Sequence, residues 1–231
     1  MTTYLQFGSK KIEYLLEYSD RKSLGITVTP DLAVFVKAPH GASHDLIREK
    51  LRKRAPWIIK QLSFFLSFHP KTPPRKFIAG ETHLYQGRQY LLQVEKSEFE
   101  SVKLEGKFLV VATPDKSRVK SLVKEWYLQN ARTRFHKLSK PLIHRFKKYK
   151  VEPTAIVLRE MTRRWGSCTP QGKIILNPEL IKAPKGCIEY VIIHELCHLI
   201  HHDHTQKFID LQTKEMPDWE KWKSKLEKLL A

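Results

Sequence analysis

The chain has 231 residues, 41% of them hydrophobic and five of them tryptophan, which suffices for one sizeable core or two small ones and excludes a disordered chain. Forty-two Lys and Arg against 24 Asp and Glu leave a formal charge of +18; this balance favours polyanionic partners, nucleic acid or nucleotide first, although the cations are spread along most of the sequence. Cys168, Cys187 and Cys197 lack a scaffold spacing and read as reduced thiols, and no run approaches the roughly 18 apolar residues of a membrane span, so a cytoplasmic protein without a membrane segment is expected.

From Lys11 to Pro39 apolar residues alternate: Ile12, Tyr14, Leu16 and Tyr18, then Leu24, Ile26 and Val28, then a turn at Pro30-Asp31 and Leu32, Val34 and Val36. The period of two predicts antiparallel strands with one half-buried face. Ser43 stands at a cap position, and a helix is predicted over about residues 43–68, with Pro56 as a kink or break. Its basic run, Arg48 to Arg54, reads first as a solvated face and second as a nucleic-acid stripe. His69 to Lys76 is Pro-rich and basic and reads as a linker or surface crossing.

A second β group follows, with strands at Thr82–Gln86, Gln89–Val94, Ser101–Leu104 and Phe108–Val111, and turns at Gly87 and Gly106. Thr113-Pro114 predicts a helix start. That helix is expected to turn Val119, Leu122, Val123, Trp126, Leu128 and Phe135 inward and to continue as a second piece after Pro141. Strands are expected at Thr154–Leu158 and Lys173–Leu176. A last amphipathic helix after Pro217 carries Trp219, Trp222, Leu226 and Leu229. The sequence shows no internal repeat.

The stretch VIIHELCHLIHHDH, Val191 to His204, carries a spacing that chemistry explains better than packing. His194 and His198 are four apart, hence one helical turn apart on one face, with Glu195 about 100° round from the first. This is the H-E-x-x-H pattern, in which two imidazoles hold zinc and the carboxylate works on water. Ile188, Ile192, Leu196 and their neighbours predict that the helix is buried, where unpartnered polar groups would cost about 1–3 kcal/mol each.

A third ligand is needed. His202 continues the stripe but lies about 12 Å along the axis from His194, too far for bonds of about 2.1 Å. His204 fits best if the chain turns near His201, His202 or Asp203, at a residue accepting positive φ. Asp203 and a downstream carboxylate such as Glu215 stand as alternatives. In the metzincin pattern a glycine makes this turn; here the position is His201.

The C-terminal half resembles the YgjP-like metal-dependent hydrolases, zincin-type proteins related to the SprT-like and minigluzincin group. The likeness rests on TRRWGSCTPQGKIILNPELIKAP, on EYVIIHELCHLIHHDHTQKF and, at the other end, on SDRKSLGITVTPDLAVFVKAP. The resemblance implies an α+β zincin-like metallopeptidase domain, expected over residues 113–231, behind a β-rich region over residues 1–112. It implies metal ligands at His194, His198 and His204 and a catalytic acid at Glu195.

Three functions are carried forward. The first is a zinc metallopeptidase acting on peptide or protein, with Glu195 as general base and Arg164, Trp165 and Tyr190 as candidate substrate-binding residues. In it, Trp165 and the Lys173–Asn177 strand form the cleft wall or lend an edge to an extended peptide. The second is a nucleotide pyrophosphatase using the same metal. The third is a nucleic-acid-associated zinc protein.

Overall fold

A computed structural model describes residues 2–29, 31–66, 75–162 and 164–230. Pro30 of the expected turn, Arg163 and most of the expected crossing at His69 to Lys76 lie outside the described residues. The architecture is α+β, with three small sheets and five α-helices among the described residues. No described helix is long and apolar enough to cross a membrane. The chain divides into two compact units, residues 1–73 and 74–230.

In the first unit, β1 (Thr2–Phe7), β2 (Lys10–Ser19), β3 (Gly25–Val28) and β4 (Val34–Pro39) form a sheet in the order β1-β2-β4-β3. The outer pairs are antiparallel, but β2 and β4 run parallel, with Leu16 opposite Val36, so the sheet is mixed rather than antiparallel as expected. The cause is burial: Val34, Val36 and Ala38 make β4 the strand most fully covered, which favours a central place. Helix α1 (His44–Leu66) starts where Ser43 Oγ accepts the Leu46 N–H at 3.3 Å. It lays Ile47, Leu51, Ala55 and Ile58 on the sheet. Pro56 removes one helical hydrogen bond yet the helix runs through it, because Ala55 and Ile58 are anchored on either side.

The second unit opens with the same topology. β5 (Thr82–Tyr85), β6 (Arg88–Lys96), β7 (Ser101–Glu105) and β8 (Phe108–Thr113) are ordered β5-β6-β8-β7, again with a parallel central pair. A helix again follows, α2 (Val119–Phe146), unbroken at Pro141. The backbone thus carries a β-β-β-β-α repeat that the sequence does not display. Thr113 stays paired in β8 opposite Lys96. Asp115 instead caps the short 3-10 turn Lys116–Arg118 that leads into α2, its side chain accepting the Ser117 N–H. Leu128, expected inward, is exposed.

Leu92, Leu109 and Val111 of this second sheet share one core with Val123, Phe135 and Phe146 of α2 and with Ile188, Ile192 and Leu196. The sheet therefore goes with the C-terminal compact unit, residues 74–230. The remaining elements are β9 (Ala155–Leu158), β10 (Gly166–Cys168) and β11 (Lys173–Leu176), then α3 (Lys185–Cys197), α4 (Gln206–Glu215) and α5 (Trp219–Leu230). The three strands are ordered β10-β11-β9, which leaves β10 at an edge. α3 is apolar on nearly all sides and packs against α2, α4 and α5, as a helix in the centre of a core must.

Gly186 in the first turn of α3 faces the Trp222 ring, and a Cβ there would overlap the indole. Gly186→Ala is expected to destabilise the second unit by about 1–3 kcal/mol through overpacking, measured as a lower urea midpoint at unchanged slope.

Candidate metal centre

His194 and Glu195 lie in the last turn of α3, and His198 is the residue that ends it. The helix stops sooner than expected. The Leu199 N–H bonds to Leu196 O at 3.1 Å, the Ile200 N–H to Cys197 O at 3.0 Å and the His201 N–H to Cys197 O at 2.9 Å, so the chain tightens and leaves the axis at once. No residue from His201 to Asp203 has positive φ. The tightened turn replaces the left-handed residue expected there and delivers His204 next to the helix end. Thr205 then occupies the cap position of α4, though its side chain makes no capping bond.

The ligating atoms of His194, His198 and His204 all lie within 4.8 Å of one another, with Nε2 of His194 and His204 at 3.1 Å. Two of the three tautomers follow from their partners. His194 Nδ1–H donates to Gln212 Oε1 at 2.8 Å, and His198 Nδ1–H donates to the His201 carbonyl at 3.2 Å. A carbonyl oxygen only accepts, so each ring keeps its proton on Nδ1 and turns the Nε2 lone pair inward. Burial, partly offset by the Gln212 bond, pushes His194 down to about 4, and burial lowers His198 as well. Both rings are therefore neutral near pH 7. Phe208 of α4, fully buried, packs against all three rings at centroid distances of 5.0, 4.6 and 4.8 Å.

Glu195 is 4% exposed, and burial raises its carboxyl to about 8, against the opposing pull of Arg164 and of the Cys168 N–H that it accepts. Its seat exists because residue 166 is glycine: a Cβ there would stand 2.5 Å from Glu195 Oε1 and 2.8 Å from Val191 Cγ1. Asn177 shapes the approach to β10. Its side-chain amide donates to the carbonyls of Met161 and Arg164, and its own N–H bonds to Trp165 O.

A cleft of about 820 Å³ runs beside these groups. All three residues of β10 line it, together with Arg164, Trp165, Tyr190 and His202. β11 is the middle strand, so the strand that offers an edge is β10, not the expected Lys173–Asn177 segment. Trp165 O and Thr169 N bond toward β11, so the groups of Gly166 and Cys168 face the other way. The Tyr190 ring stacks on Trp219 at 6.2 Å and lies 5.9 Å from His194, and burial raises its hydroxyl above the usual phenol range.

Glu215, an alternative ligand by sequence, is engaged elsewhere. Its carboxylate takes the Arg145 guanidinium at 3.0 Å, Lys148 Nζ at 2.8 Å and the Tyr149 hydroxyl at 2.6 Å. These bonds tie the end of α4, one turn beyond Gln212, to the end of α2. Asp203 does not join the imidazole cluster. Sequence reasoning missed Gln212, Phe208 and Gly166; only the i, i+4 spacing of Phe208 and Gln212 on one amphipathic helix hinted at two of them.

The donor set fits a divalent metal. Two nitrogens on one tetrahedral zinc stand roughly 3.3 Å apart, close to the His194–His204 separation. Convergent lone pairs on neutral imidazoles repel without a cation between them, and a cation nearby would also return Glu195 to its ionised form.

Gln212→Leu is expected to weaken metal affinity about 10- to 100-fold while preserving the fold, since it frees the His194 ring; competition against a chromogenic chelator measures it. Glu215 gives a pH signature. Burial alone would raise its carboxyl, but the bonds from Lys148 and Tyr149 and the charges of Lys148 and Arg145 outweigh it and lower the folded pKa below the ordinary 4.5. A depressed carboxylate stabilises above its unfolded pKa and loses that contribution as pH falls through the folded one. Glu215→Gln should thus cost about 1–3 kcal/mol at pH 7, a deficit that shrinks below about pH 4.5 in urea denaturation.

No curated protein matches the chain. The model of the YgjP-like family, described as a metallopeptidase domain, matches residues 22–229. With that match across nearly the whole sequence and three imidazoles gathered beside a buried glutamate, the chain belongs to the YgjP-like family and is a metal-dependent hydrolase.

Proposed function

We propose that the chain is a zinc-dependent peptidase that cleaves extended peptide or protein substrates. The observation that carries this reading is the free edge of β10 lying along the same cleft as Glu195 and the three histidines. An extended peptide adds to such an edge through main-chain hydrogen bonds, and the outward groups of Gly166 and Cys168, apart from the Cys168 N–H that Glu195 already takes, are the ones it would meet. Zinc, the usual ion for three neutral imidazoles, would supply a Lewis acid for the scissile carbonyl and acidify a water, held by His194, His198 and His204.

The chain's own residues supply the rest. Glu195 accepts the proton of the attacking water and returns it to the amide nitrogen as the carbon–nitrogen bond breaks, leaving a carboxylate and an amine. The Cys168 N–H fixes one oxygen of Glu195 and leaves the other for that transfer. Tyr190, kept protonated by burial, remains a hydrogen-bond donor lining the cleft, and Arg164, which lines the same cleft and whose charge reaches Glu195, would favour a developing oxyanion. Trp165 offers apolar surface for a substrate side chain.

The nucleotide pyrophosphatase reading finds less support, because a phosphate cradle needs several backbone N–H groups in a glycine-rich loop. Among the residues that line this cleft Gly166 is the one glycine, so no such loop is present there. The unpaired Cys168, Cys187 and Cys197 suit a reducing compartment, which we take to be the cytoplasm.

Glu195→Gln should retain metal and lower peptide cleavage by at least about 100-fold, whereas His204→Ala should lose both metal and activity. Casein or peptide cleavage assayed beside pyrophosphate release from nucleoside triphosphates decides the substrate. Turnover retained in Glu195→Gln would reject the assignment of the base.

A further inference from the structure

The first unit holds a second cleft, of about 440 Å³, between α1 and the edge strand β3. Leu24 and Ile26 give it apolar lining, and Ser23 stands at the rim. The α1 side is formed by Lys50, Lys53, Arg54 and Trp57, positions i, i+3, i+4 and i+7, hence one face of the helix. No carboxylate lines it. This is the basic run that reads first, by sequence, as a solvated face.

Three features set it apart from a merely solvated face. Trp57 is 41% exposed on a helix whose other face already anchors it through Ile47, Leu51, Ala55 and Ile58, so packing does not require an indole there. No described residue stacks on the Trp57 ring, although indoles of the second unit, Trp219 and Trp222, are covered by lysines. Lys50 lies one turn from both Lys53 and Arg54, like-charge spacings that disfavour the helix. Only Lys53 has an ion pair among the described residues, to Glu49 at 2.8 Å with both side chains mostly exposed. An exposed π-face set among three cations, of which Lys53 alone has that exposed ion pair among the described residues, suits a ligand that is at once flat and polyanionic.

We propose that this cleft is a binding site for single-stranded nucleic acid, in which a base stacks on Trp57 and flanking phosphates are taken by Lys50, Lys53 and Arg54. Stacking on one aromatic beside a cationic groove is how single strands are held without reading sequence. A duplex keeps its bases stacked inside and offers nothing to the indole. An acidic peptide would use the cations but leave Trp57 idle, as would an anionic membrane surface contacted by charge alone. The site is independent of the hydrolase reading, and Glu195→Gln should bind as the parent does.

The test is fluorescence anisotropy of labelled 20-residue oligo(dT) and oligo(U) with the full chain across a salt series, with a 20-residue polyglutamate as competitor. Binding at low salt is expected. Trp57→Ala should weaken it about 5- to 150-fold with the salt slope unchanged, since stacking alone is lost. The triple variant Lys50→Ala, Lys53→Ala, Arg54→Ala should weaken it and flatten the slope of log K against log salt by about 2, at roughly 0.7 per phosphate. Its melting temperature should not fall, because like-charge repulsion is removed. Parent affinity in Trp57→Ala, an unchanged slope in the triple variant, equal competition by polyglutamate, or no binding by the parent at low salt would each overturn the proposal.

Discussion

Three imidazole rings gathered at one point are a demanding arrangement for a protein to hold, and most of the second unit answers to that constraint. Neutral rings tumble and repel unless their other nitrogens are pinned. The His194 ring is pinned by Gln212, which is 1% exposed, and the His198 ring by a carbonyl of the turn that follows it. Phe208 then packs against all three rings, filling the space between them and α4. α4 thereby supplies both a hydrogen-bonding and a packing support for the imidazoles that α3 and its turn present.

The position of α4 is itself set from α2. Glu215 closes the far end with a buried carboxylate shared by Arg145, Lys148 and Tyr149. A rigid helix of ten residues transmits that anchor back to Gln212 and Phe208. The topological repeat adds a second theme. Both β-β-β-β-α modules bury a parallel central pair beneath a helix, yet their helices serve different ends. α2 is overlaid by α3 and becomes part of a common core, whereas α1 keeps a long exposed face free to carry Lys50, Lys53, Arg54 and Trp57.

What could be read from the sequence was what short-range spacing encodes. The His194-Glu195-His198 pattern, the reach of His204 and most strand limits in Thr82–Val111 depend on residues within a turn or a hairpin of one another, and each sits where its spacing requires. Parallel pairing of β2 with β4, the place of β10 at an edge and the unit boundary depend on which buried strand wins the centre, and no local period carries that. Pro56 and Pro141 misled for the same reason: a proline cost of about 3 kcal/mol is a local quantity, outweighed by tertiary anchoring the sequence does not display. Glu215 read as a ligand candidate because its charge was visible and its three partners on α2 and the turn behind it were not.

The closest dependence in the molecule joins two segments that sequence reading treated apart. Glu195 needs a dry seat, an N–H to hold one oxygen and room against β10, and the Gly166–Cys168 strand supplies all three at once: absence of a side chain, an outward amide and a wall. In turn that strand is held in register by Asn177, which reaches both the Met161 and Arg164 carbonyls. The Gly166–Cys168 strand is therefore the other half of the glutamate's seat. Any side chain at 166 would have to displace either the carboxylate or α3, and α3 cannot move without uncoupling His194 from Gln212.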